Sequence, residues 1–333
     1  MNRIDSIKFE IHRELITFDS LKFRDKTDTD KETGETFFFN ILHSKYKIIG
    51  LNEITITDKK ATISISSKLI PELYFEMINI NTIVRYLSKI LSLNIIQFDI
   101  NSVIENSQVR TIDTTNNLIV ENVKEYISDL SIYKINDKFK FENIKNESLT
   151  FVTKKKRNNE RIVLYDKYPE LRKKDNEEFR KSINIEPFKN IFRIETRLVN
   201  FKPIRECFKI TENKIIHILN SNENVNYNSF CKITDIKNFD IQTFNNFKEL
   251  IEMRDLKKRS AIEKKIGQLI IAERLNYDMH LIRDFINRNC SDKSNNSAIV
   301  REYKQLIKAY NNQKNNNVVD KKVNKIKEML LIA

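Results

Sequence analysis

With three glycines in 333 residues, Gly34, Gly50 and Gly267, this chain has few places for a loop that needs positive φ or close backbone approach to a phosphate. None of the three stands in a G-x-G-x-x-G or G-x-x-x-x-G-K-[ST] pattern. P-loop and dinucleotide-binding folds are therefore excluded, because both expose backbone amides through a glycine-rich turn ahead of a helix. Short β-branched runs dominate instead. TFFFNILH (36–43), EITITD (53–58), ATISISS (61–67), QVRTIDTT (108–115), KFKFENI (138–144), SLTFVT (148–153), RIVLYDK (161–167) and IFRIETRLV (191–199) read as strands with partial two-residue alternation.

A helix is expected from about Pro71 through LYFEMINI and IVRYLSKILSL, and another over NVKEYISDLSI (122–132). KKKRNNE (154–160) reads as a hairpin turn and PELRKKDNEEFRKS (169–182) as a charged, partly helical connection. From about residue 240, FKELIEMRDLKKRSAIEKKIGQLIIAERL, SAIVREYKQLIKAY and KKVNKIKEMLLIA have helical spacing, with polar linkers between them. The expected fold class is α+β: an antiparallel sheet with helices packed on one face, over residues 1–215, followed by a basic α-helical region, residues 216–333. A faint internal echo accompanies this. Each half runs from a β-branched strand through a helical or charged connection to a strand with an acid at its centre, Asp113 or Glu195.

The formal net charge of +13 points to a polyanionic partner, nucleic acid or an anionic membrane surface. No apolar run approaches the roughly 20 residues of a transmembrane helix, and MNRIDSIKFEI scatters charges where a signal peptide needs an apolar stretch. Cys207, Cys231 and Cys290 form no C-x-x-C pair, which fits ordinary reduced thiols in the cytoplasm. The reading is a cytoplasmic nucleic-acid binder with no membrane partner.

Side chains on a strand alternate faces. Val163, Tyr165 and Lys167 then share one face of their strand, and Arg193, Glu195 and Arg197 one face of theirs; Asp113 opposes Ile112. If these strands pair, one sheet face collects Tyr165, Lys167, Asp113, Glu195, Arg193 and Arg197. An ordinary half-exposed sheet with an Arg-Glu-Arg ladder has the same pattern. The chemical alternative is specific. A tyrosine, with a pKa of about 10, is a poor nucleophile unless assisted. Lys167 can stabilise its phenolate, Asp113 and Glu195 can hold a hard divalent cation, and Arg193 and Arg197 can clamp phosphate.

In order, VRTIDTTNN, RIVLYDKYPE and FRIETRL resemble the segments of the replication-initiation-factor family of rolling-circle plasmids and phages, which lacks a His-x-His motif. Asp113 matches the family's first acid; Tyr165, Lys167 and Glu170 match the nucleophile segment; Arg193, Glu195 and Leu198 match the last strand. The resemblance covers roughly residues 36–210. It implies nicking of one origin strand by Tyr165 through a 5′-phosphotyrosyl intermediate, assisted by Mg²⁺ or Mn²⁺. It also implies a single-stranded or cruciform DNA origin as partner, with a host helicase, a polymerase and a second copy of the chain as further candidates. Three features depart from the family. Arg110 lies one residue too far from Asp113; the second acid, four residues on, is Asn117, whose amide oxygen can ligate a metal without supplying charge; and Ser64 and Ser66 stand where a further acid is expected. The alternative is a DNA-binding replication protein that keeps the fold but has lost metal-dependent nicking.

Lys154, Lys155, Lys156, Arg157 and Arg161 crowd the start of the tyrosine strand, and RDLKKRSAIEKK (254–265) carries Lys257, Lys258 and Arg259. Both runs are candidates for sequence-independent phosphate contacts. Tyr168, three residues after Tyr165, reads as an ordinary aromatic before Pro169.

Overall fold

The computed structural model describes the chain outside residues 1, 30–31, 34–35, 132–135, 137, 145–146, 155–158, 235–255, 290–294 and 333, and outside the side chains of 143–144, 159, 256–259, 308–320 and several others in 261–273. It has two units. One comprises residues 1–235 with 324–333, the other 236–323.

The strands are β1 (Arg3–His12), β2 (Ile16–Phe18), β3 (Phe23–Thr29), β4 (Thr36–Leu42), β5 (Leu51–Ile56), β6 (Lys60–Ser66), β7 (Ile96–Phe98), β8 (Gln108–Ile119), β9 (Phe139–Ile144), β10 (Ser148–Thr153), β11 (Asn159–Asp166) and β12 (Ile191–Val199). Ten of them form one sheet in the order β3-β4-β5-β6-β1-β8-β12-β11-β10-β9, with β2 and β7 paired apart. Every pairing is antiparallel. The α+β expectation holds. The N-terminal strand β1, not foreseen from the sequence, sits between β6 and β8 near the middle of the sheet.

The period-two pattern decides which face is core. Ile7, Phe9 and Ile11 of β1, Ile63 and Ile65 of β6, Ile112 of β8 and Leu198 of β12 all lie in the main apolar cluster. Helices α1 (Ile83–Ser92), α2 (Ile100–Asn106), α3 (Val123–Ser131), α4 (Lys167–Leu171), α5 (Glu177–Arg180), α6 (Phe201–Phe208), α7 (Ile215–Leu219) and α8 (Val225–Thr234) accompany the sheet. α1 forms because Ile83, Tyr86, Leu87 and Ile90 make an apolar stripe at helical spacing. That stripe joins the same cluster with residues from α2, α6, α7 and α8. The helices α7 and α8 therefore pack with the sheet, although the sequence reading grouped residues beyond 215 with the helical region. The helix expected from Pro71 starts only at Ile83.

Among the described residues glycine is required at Gly50, at φ +83°, since a Cβ would lie 2.1 Å from the Leu69 amide nitrogen. On the opposite face a smaller cluster of Tyr74, Leu171, Phe179, Phe188 and Ile191 closes one end. In the second unit, α9 (Leu256–Arg274), α10 (Met279–Asn289) and the first part of α11 (Asn296–Ile332) share a core of Ala272, Ile282, Ile286, Tyr303 and Ile307. No helix among the described residues is long and apolar enough to cross a membrane.

Candidate functional site

Register brings three separate motifs together. β8 pairs with β12 so that Asp113 faces Arg197, Thr115 faces Glu195 and Asn117 faces Arg193. β12 pairs with β11 so that Glu195 faces Val163 and Arg193 faces Tyr165. Since these positions alternate with core residues, their side chains emerge on the face away from the helical layer. Asp113, Tyr165 and Glu195 line one cavity of about 320 Å³. Its rim carries Arg161, Arg197, Lys124 and Lys173.

The Tyr165 hydroxyl donates to Glu195 Oε1 at 2.5 Å. Burial first, then the Glu195 charge, hold that phenol well above its ordinary pKa. Glu195 itself is pushed up by burial and by Asp5, against Arg193 and Lys167. Behind this pair lies Arg193, fully buried. Its Nε donates to Asn117 Oδ1 at 2.8 Å, while Nη1 faces Glu195 at 3.5 Å and Asp5 at 3.6 Å. Asp5 also accepts from Ser67 Oγ at 2.6 Å. Burial alone would raise Asp5, but Arg193, Lys167, Ser67 and Lys68 outweigh it and hold the carboxyl below its usual range.

Asp5 has no place in the sequence reading. It sits at a register shift between Ile4 and Ser6, where β1 carries one residue more than β8. A bulge of this kind re-aims a side chain, and here Asp5 and Ser6 both reach the polar face. Ser6 Oγ donates to Asp113 Oδ2 at 2.5 Å. The signal that would have found the strand was present: Ile7, Phe9 and Ile11 alternate. A second shift, between Lys8 and Phe9, accounts for the displaced arginine. Arg110 pairs with Glu10 at 2.8 Å and stacks on the Phe201 ring at 4.0 Å, outside the cavity lining.

Two expected roles are corrected. β11 ends at Asp166, whose carboxylate caps α4 by accepting from the Tyr168 amide at 3.1 Å. Lys167 is thus the first helical residue, with its side chain 2% exposed and its Nζ bonded to Glu170 at 2.6 Å. It lies 5.5 Å from the Tyr165 ring centre, over the ring, while the hydroxyl belongs to Glu195. Arg193 is no surface phosphate clamp either, since it is fully buried among Asp5, Glu195, Asn117 and the Tyr74 ring.

The other predicted contacts divide. Arg161 and Arg197 reach the cavity, with Arg197 53% exposed and 3.8 Å from Asp113 Oδ1. Lys154 is exposed. Lys155, Lys156 and Arg157 lie outside the described residues, as do the side chains of Lys257, Lys258 and Arg259 in α9. The Tyr168 hydroxyl donates to Glu186 at 3.3 Å and does not line the cavity.

A divalent cation can be tested against this donor set. Asp113 Oδ1 is buried and makes no hydrogen bond, and burial, opposed by Ser6 and Arg197, raises the Asp113 pKa. A carboxylate oxygen without a hydrogen bond, its near cation Arg197 at 3.8 Å, on the cavity that also holds Glu195 fits a cation taking one or two carboxylates and completing its shell with water or phosphate oxygens. Asn117 does not join them. Its oxygen is occupied by Arg193, and four residues along a strand separate it from Asp113 by about 13 Å. Among the described residues no three His, Cys, Asp or Glu side chains converge as a metal cluster. No protein-family model matches the chain, and no curated protein matches it.

Proposed function

We propose that this protein is a rolling-circle replication initiator that nicks one DNA strand with Tyr165. The observation that carries the reading is the Tyr165–Glu195 hydrogen bond at the wall of a cavity shared with Asp113, whose lining brings Lys124, Arg161, Lys173 and Arg197 together with Glu147, Asp166 and Glu170. Deprotonating an ordinary phenol at pH 7 costs about 4 kcal/mol. Burial and the neighbouring carboxylate make it harder here, so a preformed phenolate is not the resting state. The proton leaves as the bond forms. Tyr165 Oη attacks the phosphorus, its proton passes to Glu195 Oε1, and the P–O3′ bond breaks. The 3′ oxygen then takes a proton from water, leaving a 5′-phosphotyrosyl link and a free 3′ hydroxyl. Arg161 and Arg197 neutralise the non-bridging oxygens. Asp113 and Glu195 are the residues that would hold Mg²⁺ or Mn²⁺, which supplies Lewis-acid polarisation of the phosphodiester when bound. Buried Arg193 fixes Glu195 in place.

The second reading, a DNA-binding protein that no longer nicks, draws on Asn117, which stands where the family has a second acid and is tied to Arg193. Covalent trapping separates the two. The protein is mixed with Mg²⁺ or Mn²⁺ and single-stranded oligonucleotides tiled across the DNA that encodes it, then run on a denaturing gel beside Tyr165→Phe and Tyr168→Phe. A DNA-linked band absent only from Tyr165→Phe is expected. Tight DNA binding with no band in either metal would leave the binding-only reading.

A further inference from the structure

The nicking reading uses only one side of its cavity. Asp113, Glu195, Arg161 and Arg197 lie on β8, β12 and the first part of β11, whereas the same cavity continues past Tyr165 to β10, α3 and α4. Register fixes this direction. Tyr165 pairs with Arg193 of β12 on one side and with Ser148 of β10 on the other, so Ser148 emerges beside the phenol on the same face. Six side chains that the mechanism leaves idle line this half: Lys124, Ile127, Ser148, Val163, Asp166 and Pro169. Ile127 is fully buried, and Ser148, Val163, Asp166 and Pro169 are half-buried. Lys124 is exposed, as are Glu147 and Lys173, which pair at 4.0 Å and also line the cavity.

Ile127, Val163 and Pro169 come from three elements and offer a flat ligand apolar surface. One half-buried acceptor, Asp166, lines the same half. It gives Oδ1 to the Tyr168 amide at 3.1 Å, and a carboxylate has about four lone-pair sites, so acceptor capacity remains for a ligand. Burial, opposed by the Tyr168 amide and by Lys124, holds this carboxyl above its ordinary pKa; a ligand donor would replace hydration that burial removes. The whole cavity, about 320 Å³, is at the small end of ligand sites, which run from about 300 to 1,000 Å³. That is the scale of one nucleotide, not of several. We propose that this half of the cavity is a pocket for the single nucleobase beside the scissile phosphate, and that Asp166 selects bases carrying an exocyclic amino group. The inference rests on the nicking reading for the position of the phosphate and adds which nucleotide stands next to it. An unpaired base is read in this way, by hydrogen bonds to its Watson–Crick edge and by apolar side chains against its faces. Adenine, cytosine and guanine each offer an amino group to a carboxylate, whereas thymine presents a carbonyl oxygen in its place.

The test starts from a randomised single-stranded DNA library. It is reacted with wild type so that covalently trapped strands can be sequenced, and selected in parallel for binding to Tyr165→Phe. One position beside the tyrosine-linked phosphate is expected to exclude thymine. An abasic residue at that position should slow adduct formation about tenfold or more, and abasic residues farther along the strand should slow it less. Asp166→Asn keeps an N-cap of a preferred type, so α4 should persist. Its amide donates as well as accepts, so it should admit thymine at that one position and leave the other preferences as in wild type. The proposal falls if no position beside the phosphate is discriminated, if the abasic strand reacts as fast as the complete one, or if Asp166→Asn still excludes thymine. Equal loss of adduct with all four bases in Asp166→Asn also overturns it, since Asp166 would then serve the helix cap alone. The nicking reading is judged separately. Adduct without base preference sinks this inference and leaves nicking standing. Exclusion of thymine at one position in the binding selection, lost in Tyr165→Phe/Asp166→Asn and with no adduct from wild type, does the reverse.

Discussion

On β12, Ile194 and Leu198 are fully buried in one direction, while Arg193 is fully buried in the other with Glu195 beside it. The two faces of the sheet share backbone, register and depth, yet their energetics are opposed. An isoleucine moved from water into the helical layer contributes about 1.5–3 kcal/mol. An ion moved to the same depth costs several kcal/mol even after relaxation, and its partners must offset that. Arg193 meets this with two carboxylates, one amide oxygen and the Tyr74 ring; Lys167 meets it with Glu170 and the same ring. Stability alone would favour apolar residues at these positions. The polar face therefore holds its charges at a cost to the fold.

The largest effect should come from breaking that charge balance. Arg193→Met leaves Asp5 and Glu195 facing each other without their cation and should cost about 3–5 kcal/mol in denaturant unfolding. Adding Asp5→Asn should recover part of the loss. If the double variant is no more stable than the single one, the cluster is not held by pairing. Ile194→Ala on the helical side should cost about 2–5 kcal/mol while the folded fraction still forms adduct at the wild-type rate. Equal damage to adduct formation by both variants would erase the distinction between the faces.

Much of this was legible in the sequence. Eight strands, and the common face of Asp113, Tyr165, Glu195 and Arg197, follow from period-two alternation, because register in an antiparallel sheet carries that pattern from strand to strand. Depth was not legible. Arg193 and Arg197 look equivalent on IFRIETRLV, yet the first is fully buried against the Tyr74 ring, 5.7 Å away and from a distant segment, while the second is 53% exposed. Lys167 was misplaced because a strand and a capped helix meet at Asp166, for which Pro169 in the first turn was the available sign. The edge strand β3 has no apolar stripe, with every residue after Phe23 exposed, so its pairing with β4 defines it. Asp5 was hidden by a bulge, which no period predicts.

A smaller effect is expected at Asp113, and its sign differs. Burial holds this carboxyl above its ordinary pKa, so the folded state binds the proton more tightly than the unfolded chain. Stability from this group therefore falls as pH rises through that window and returns as pH falls. Asp113→Asn should raise Tm at neutral pH, by less than either loss above, and the gain should shrink on acidification. The same variant should weaken metal-dependent trapping. A neutral-pH Tm that drops instead would mean the Ser6 and Arg197 contacts outweigh burial, and the carboxylate would then count as part of the scaffold.

The smallest effect belongs to the rim, where the two faces can be compared without disturbing either core. Arg161 is exposed at the cavity and pairs in register with Arg197, so Arg161→Ala removes charge and little packing. If the polar face tracks a phosphate backbone, the loss should be uniform across DNA sequences, and the slope of log affinity against log salt should fall by about one. Lys202, an exposed cation on α6 whose neighbours Pro203 and Ile204 are buried, supplies the control: Lys202→Ala changes net charge by the same amount. If both variants shift the slope alike, net charge governs binding and the cavity rim has no special part in it. If only Arg161→Ala does, the phosphate path crosses the face that carries Tyr165.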